Sequence, residues 1–297
     1  MLKILLLGNG QLARALIECS CHFPVQITQV TTAQCRLEDT KGIRSFVIKE
    51  KPDVIINAAA FTKVELAESQ PDLAWLINAA AVDGLAKLAS EYDILLVHIS
   101  TDYVFGGQGI IPWCEEDQTA PLNVYGKTKR SGEVAIMGQC EKYLLFRTSW
   151  LHSPWRRNFI KSMLTLGMNK EHLSVVCDQI GAPTSACMLA KAILHAVVVT
   201  SHKPELSGLY HVAAQGETSW YDLAKYCFSV AGSMGMVFKV KSIEPVLSDD
   251  YPSMVLRPLN SRLNTKKFSR YFWMEFPAWQ DDVSATLSSL LRQPEHR

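Results

Sequence analysis

Tyr125-Gly-Lys-Thr-Lys129 sets a phenol and an ammonium four residues apart, the spacing that puts two side chains on one helix face. A phenol titrates near pH ~10 and is a poor proton donor or acceptor at neutrality. A positive charge fixed within a few ångströms favours the phenolate and draws that pKa toward the working range, where proton transfer is most efficient. Alone, Tyr-x-x-x-Lys is weak, because both residues are common on solvated helix faces. Its weight comes from two other stretches.

The chain opens Lys3-Ile-Leu-Leu-Leu-Gly8-Asn-Gly10-Gln11-Leu12-Ala13, an apolar run, a Gly-x-Gly-x-x-Ala turn and then a helical pattern. In such a turn the first glycine permits the bend and the second lets backbone approach a pyrophosphate. The small third residue lets the helix pack closely, with its N-terminus facing the phosphates. The strand-before, helix-after context is what the motif requires. Further on, His98-Ile-Ser-Thr101-Asp102-Tyr-Val-Phe105 closes another apolar run. Hydroxyls at the carboxyl end of a strand in a nucleotide-binding sheet sit where substrate chemistry is expected.

These residues need a parallel sheet to bring them together, and the rest of the chain predicts one. Apolar runs at 4–7, 27–30, 54–60, 94–99 and 143–146 read as buried strands, alternating with helical patterns at 11–19, 40–50, 71–91 and 122–137. Asp39 and Ser69 are the expected caps of the second and third helices. The alternation predicts an α/β, Rossmann-like doubly wound parallel sheet over residues 1–150. Residues 151–297 read mainly as a smaller, interwoven substrate lobe. It has helices at 156–167, 185–199, 219–231 and 278–291, a strand at 173–178 and a loop at 245–258. A segment near 208–213 is expected to return to the main sheet.

The chain has 297 residues, 48% hydrophobic and 20% charged, with a net charge of +1. That balance gives no general reason to expect nucleic acid or an anionic membrane as partner. The longest apolar runs, 4–7 and 192–199, are far shorter than a bilayer span. The N-terminus resembles a signal segment superficially, but its glycines, Gln11 and Arg14 interrupt the apolar stretch. The eight cysteines show no C-x-x-C spacing and the eight histidines no metal spacing, so no metal site is expected. The thiols read as free and buried, in a cytoplasmic protein.

With these motifs in order, the chain resembles the extended short-chain dehydrogenase/reductase family, in particular its dTDP-4-dehydrorhamnose reductase branch. The likeness runs through Pro52–Thr62, Ser100–Phe105, Pro121–Lys129, Phe146–Trp150, Asp178–Thr184 and Arg257-Pro258. It implies NAD(P)H-dependent reduction of the 4-keto group of a dTDP-6-deoxyhexulose to dTDP-L-rhamnose. By that resemblance Tyr125 donates the proton and Thr101 hydrogen-bonds the same carbonyl oxygen. Lys129 holds the nicotinamide ribose and lowers the phenol's pKa. Gly8, Gly10, Gln11, Leu12, Ala58, Ala59 and Ala60 lie against the cofactor, and Asp102 and Trp150 against the sugar nucleotide. Arg257 suits the pyrophosphate as a bidentate donor, and Asn158 and Lys161 are further substrate candidates.

Several positions depart from the family pattern. The glycine turn is one residue shorter and ends in Ala13. No acid closes the second strand to bind a ribose 2′-hydroxyl, and Arg36 stands where an acid is common. NADPH is therefore expected to serve at least as well as NADH. Ala15 stands at or near the glutamate of a dimer-bridging metal site, which puts that form of homodimer in doubt. Among the blander readings, Asn78 is by default a solvated helix amide, though the resemblance also implies a counterpart that supports a water near Lys129, and His98 is a satisfied core histidine. Two other functions fit the fold: an NDP-sugar epimerase or dehydratase that returns its hydride, and a non-catalytic, reductase-like regulatory subunit.

Overall fold

This computed structural model describes residues 1–292. β1 (Leu2–Leu7) carries Ile4 and Leu6 into one helical layer and Leu5 and Leu7 into the other. A strand covered on both faces reads as an unbroken apolar run for this reason. Then come α1 (Gln11–Cys19), β2 (Val25–Val30), α2 (Thr40–Glu50), β3 (Val54–Asn57), α3 (Val64–Ser69), α4 (Pro71–Trp75) and α5 (Ala81–Glu91). β4 (Leu95–Thr101), α6 (Val124–Gln139) and β5 (Tyr143–Thr148) complete the first half.

The second half begins with β6 (Leu151–His152), α7 (Phe159–Asn169), β7 (His172–Val176), β8 (Ile180–Gly181), β9 (Thr184–Ser185) and α8 (Ala186–His202). β10 (Gly208–His211), β11 (Thr218–Ser219), α9 (Trp220–Ser233), β12 (Ser242–Val246), α10 (Lys266–Phe272) and α11 (Trp279–Leu291) follow.

The main sheet has six parallel strands in the order β10-β5-β4-β3-β1-β2. The order reverses between β1 and β3, and ligands of such sheets bind outside the strands' carboxyl ends at that point. α1 and α8 cover one face, and α2, α5 and α6 the other. β10 pairs with β5 at the far edge, with Tyr210 opposite Phe146, so the chain leaves the sheet after β5 and returns to it. The remaining strands form three small pairs, β11-β8, β12-β7 and β6-β9, which build the lobe above the carboxyl ends.

Several boundaries differ from expectation. β3 stops at Asn57 rather than Ala60, because Asn57 Oδ1 takes the Ala59 N–H and turns the chain out of the sheet. Ser69 does not cap α4; Gln70 occupies that position, and the Ser69 hydroxyl bonds back to Leu66 O at the end of α3. The helix expected from Arg156 begins at Phe159, since Arg156 is left-handed (φ 54°) and Asn158 supplies the cap. β12 takes Pro245 and Val246 out of the expected loop by pairing with β7. α10 was not legible, although its Phe268 and Phe272 are fully buried.

α4 and α5 are joined through a π-turn at Leu76–Ala80 into the single run Pro71–Glu91. By length and composition that run could cross a membrane. Here Ala74, Ala79, Val82 and Leu85 are buried in the protein, as in a core helix. All eight cysteines are free, but only Cys19, Cys140 and Cys227 are buried. Cys19 Sγ lies 3.6 Å from Cys187 Sγ, where α1 packs on α8.

Candidate active site

The glycine turn closes against β3. Gly8 has φ +112°, and a side chain there would meet Ala59 N at 3.0 Å and Ala58 C at 3.1 Å, so only glycine fits. Gly10 precedes α1 with no side-chain cap, and a Cβ on it would meet nothing within 4 Å. Open space at a helix N-terminus with free N–H groups is what a pyrophosphate requires. Beside it lies a cavity of about 130 Å³ lined by Gly8, Thr32, Arg36, Glu38, Ala59 and Ala60. The residues present therefore fit an adenine dinucleotide.

Leu12 is buried beneath the turn. Gln11 ties the turn to the second lobe, accepting from Ser153 Oγ (2.8 Å) and donating to Leu151 O (3.4 Å). Arg36 is exposed and pairs with Glu38 at 2.6 Å. Glu38 thus places an acid at the cavity which inspection of the second strand's end had missed.

β4 ends in Thr101, whose hydroxyl donates to Asp102 Oδ1 (3.0 Å) and accepts from Tyr103 N–H (3.2 Å). α6 reaches this point because Asn123 caps it, accepting from Gly126 N–H at 2.8 Å. At Gly126 the helix lies so close that a Cβ would stand 2.2 Å from Tyr103 O. That contact sets the Tyr125 ring edge-on against Tyr103, 5.6 Å between centroids.

The electrostatics differ from the expected picture. Burial pushes the Tyr125 phenol up and the Asp102 charge adds to this, while the Thr101 hydroxyl works the other way. Lys129 does not lower it. Its amine is turned to β4, donating to Ile99 O at 2.6 Å and lying 3.0 Å from His98 Nε2. Burial pulls Lys129 down to about 8, opposed by Glu133. In a dry site desolvation outweighs a charge aimed elsewhere, so Tyr125 holds its proton at neutral pH. Asn78 is not solvated either. It is buried in the π-turn, clamping the Phe61 N–H (2.8 Å) and carbonyl (3.0 Å) and donating to Thr128 Oγ1 (3.2 Å).

Above the cluster, Trp150 is left-handed (φ 49°), uncommon for so bulky a residue. It stacks on Trp220, 3.6 Å between centroids, and Gln179 fixes Trp220 through its indole N–H (3.1 Å). Arg257 donates to the Tyr103 hydroxyl (3.2 Å) and pairs with Glu65. Asn158 and Lys161 are engaged locally. Asn158 caps α7 and donates to Ser153 O, and the Lys161 amine bonds Pro154 O at 3.3 Å.

Residues 2–292 match the model of the RmlD substrate binding domain family. The chain belongs to this family. It is 48% identical over 250 residues to the dTDP-4-dehydrorhamnose reductase of Salmonella typhimurium, covering 84% of each chain. Among solved structures it is similar to the dTDP-4-dehydrorhamnose reductase of Bacillus anthracis in complex with NADP (31% identity, TM-score 0.89, 97% and 99% covered). The Clostridium acetobutylicum enzyme is similarly near (33% identity, TM-score 0.88, 97% and 99% covered). The chain is accordingly an NAD(P)-dependent oxidoreductase of the dTDP-rhamnose branch.

In this member of the family, several side chains around the cluster escaped sequence reasoning. Trp220 meets Trp150 and Gln179 meets Trp220, Tyr103 and Glu65 meet Arg257, His98 meets Lys129 and Asn57 meets His98, each only through the fold. All but Trp220 and Glu65 lie inside stretches singled out in the sequence, without a partner being legible there, and Trp220 left a trace as an aromatic just after the helix-capping Ser219.

Asp102 makes the stability of this site pH-dependent. Burial pushes its carboxyl up to about 6, with the Ser261 and Thr101 hydroxyls opposing; Oδ2 is buried without a well-formed hydrogen bond. A raised carboxyl pKa means the fold binds the proton more tightly than the unfolded chain does. Its ionisation therefore costs the fold above pH 6, and the cost disappears below pH ~4, where both states are protonated. Two pKa units correspond to about 3 kcal/mol. Asp102→Asn is expected to raise stability by up to about that amount at pH 8. Urea unfolding at pH 8 and pH 5 checks this: the variant's advantage should shrink at the lower pH.

Proposed function

We propose that this enzyme reduces the 4-keto group of dTDP-4-dehydro-6-deoxy-L-mannose to give dTDP-L-rhamnose, in the cytoplasm, with NADPH or NADH as reductant. The carrying observation is the meeting of the Thr101 hydroxyl and the protonated Tyr125 phenol at the carboxyl end of β4, next to the open glycine turn. A reduced nicotinamide bound along that turn supplies the hydride. Tyr125 offers its O–H to the carbonyl oxygen, and Thr101 a second once its hydroxyl turns from Asp102; negative charge grows on that oxygen as the ketone is reduced, and such donors stabilise it. Tyr125 then delivers its proton to that oxygen, which burial of the phenol has kept in place. Lys129, one turn along α6, orients the cofactor ribose. Asp102 and the Trp150–Trp220 stack bound the sugar side. Arg257, redirected from Glu65, meets the pyrophosphate.

The test is stoichiometry. Incubated with dTDP-4-dehydro-6-deoxy-L-mannose, the enzyme should oxidise one NAD(P)H for each dTDP-L-rhamnose formed. An isomeric keto sugar formed without net cofactor consumption would instead indicate an epimerase that returns its hydride.

Arg36 and Glu38 decide cofactor preference in this reading. A 2′-phosphate would draw the Arg36 guanidinium away from Glu38, since phosphate is the stronger bidentate partner. NADPH should serve at least as well as NADH. Arg36→Ala should lower kcat/KM for NADPH about tenfold, the loss of one charge-assisted contact, and leave NADH nearly unchanged. Kinetics with the two cofactors measure this, and a native preference for NADH would refute it.

A further inference from the structure

Two thiols meet where α1 packs on α8, away from the catalytic cluster. Cys187 is the second residue of α8, just after the capping Ser185 and Ala186. The unpaired N–H groups of that first turn carry the positive end of the helix dipole, which favours a thiolate. Lys191, one turn further along the same face, favours it too. Cys19 ends α1, 168 residues away along the chain, and its Sγ lies 3.6 Å from Cys187 Sγ. Cys187 is partly open to solvent, whereas Cys19 is buried.

Two carboxylates, Asp282 and Glu18, oppose ionisation of Cys187. Both are engaged elsewhere. Glu18 pairs with Arg14 at 3.0 Å, and the two oxygens of Asp282 accept from the Ser185 N–H and hydroxyl at 2.6 Å each. The S–H of Cys19 donates to Cys187, which lowers the Cys187 thiol below the ordinary range. The same hydrogen bond, with burial, raises Cys19. A thiolate touching a protonated thiol is the arrangement of a nucleophile and its resolving partner.

The other cysteines lack this arrangement. Burial and a neighbouring carboxylate raise Cys35 (Asp39) and Cys114 (Asp117). Burial raises Cys140 and Cys227. Cys21 is the exposed one. Exposure alone would therefore select Cys21 for oxidation, while thiolate character selects Cys187.

We propose that Cys187 and Cys19 form a peroxide-reactive pair that closes into a reversible disulfide joining α1 to α8. In the first step the Cys187 thiolate attacks a hydroperoxide oxygen. An S–O bond forms, the O–O bond breaks, and the leaving hydroxide takes a proton from solvent to become water. Cys187 is oxidised to a sulfenic acid and the peroxide is reduced. In the second step the Cys19 sulfur attacks the Cys187 sulfur. The S–S bond forms, the S–O bond breaks, and the departing oxygen leaves as water with the proton of the Cys19 thiol. Two thiols and one hydrogen peroxide thus give one disulfide and two waters. The 3.6 Å contact makes the second step intramolecular, which closes the route to irreversible sulfinic acid. A small dithiol reverses the bond by exchange.

Thiol mapping tests this. Reduced native protein at pH 7 is treated with equimolar hydrogen peroxide, blocked with iodoacetamide, digested and analysed by mass spectrometry. The main product should be the Cys19 and Cys187 peptides joined by a disulfide, with the other cysteines alkylated, and dithiothreitol should restore both thiols. Cys19→Ser should stop at the Cys187 sulfenic acid, which dimedone captures. Cys187→Ser should slow peroxide consumption about tenfold, the advantage of a largely ionised thiol over mostly protonated ones. Oxidation that begins at Cys21, or a Cys187 carried to sulfinic acid beside a reduced Cys19, would overturn the proposal. The map of the native protein decides even if a serine variant fails to fold. It does not depend on turnover, so the outcome for ketone reduction leaves it untouched.

Discussion

Tyr125→Phe is expected to lower kcat for ketone reduction by about 10²–10⁴-fold, the usual contribution of a positioned acid. The change removes one oxygen. Phe keeps the edge-on contact with Tyr103, and the Gly126 approach to Tyr103 O is untouched, so the fold and NADPH affinity should change little. The buried hydroxyl resists ionisation, so its removal should even spare a small desolvation cost. Rates with saturating substrate, together with a cofactor titration by fluorescence, measure both parts. Full turnover in the Phe protein would remove Tyr125 from the chemistry and leave Thr101 without its partner.

The second large effect is on stability. Arg147 on β5 and Glu133 on α6 form a fully buried two-pronged pair, with Nη2 and Nε of Arg147 2.7 and 2.8 Å from the two carboxylate oxygens. The guanidinium also lies over the Phe105 ring at 4.9 Å. Glu133→Leu should destabilise the protein by about 3–5 kcal/mol, because it strands a charge in a dry interior. The double change Glu133→Leu with Arg147→Met should recover most of that loss, since an apolar pair has no charge to desolvate. Arg130, partly exposed and bonded also to Thr119, can turn to solvent in both variants. Urea unfolding of the two variants at constant m-value measures this. A double variant no more stable than the single one would mean that the pair supplies packing which Leu and Met cannot replace.

This pair also marks where sequence reading stopped. In the sequence Arg147 stands out only as part of the stretch Phe146–Trp150, and Glu133 not at all. Nothing in a charged residue on a helix or strand says that it faces inward until the opposite charge is seen to arrive from another element. Asn78 was misread for the same reason: its helix is amphipathic, but a π-turn rotates that amide onto the Phe61 backbone. The helix start expected at Arg156 falls at Phe159 and the cap expected at Ser69 falls at Gln70, because left-handed residues and backward-bonding hydroxyls leave no periodic signal.

By itself the sequence determined the alternation of strands and helices, the glycine turn between the first of each, and the order of Thr101, Tyr125 and Lys129 along the chain. These are local matters: apolar period, turn chemistry and helical spacing act over a few residues. Only the tertiary structure decided what those groups do to one another. It turned Lys129 to His98, 31 residues away, and not to the phenol four residues away. It brought Arg257 to Tyr103 across 154 residues and stacked Trp220 on Trp150. The reason is that proton affinity and side-chain direction depend on how much water is excluded and which distant dipoles replace it. Both are properties of the packed core and not of any segment.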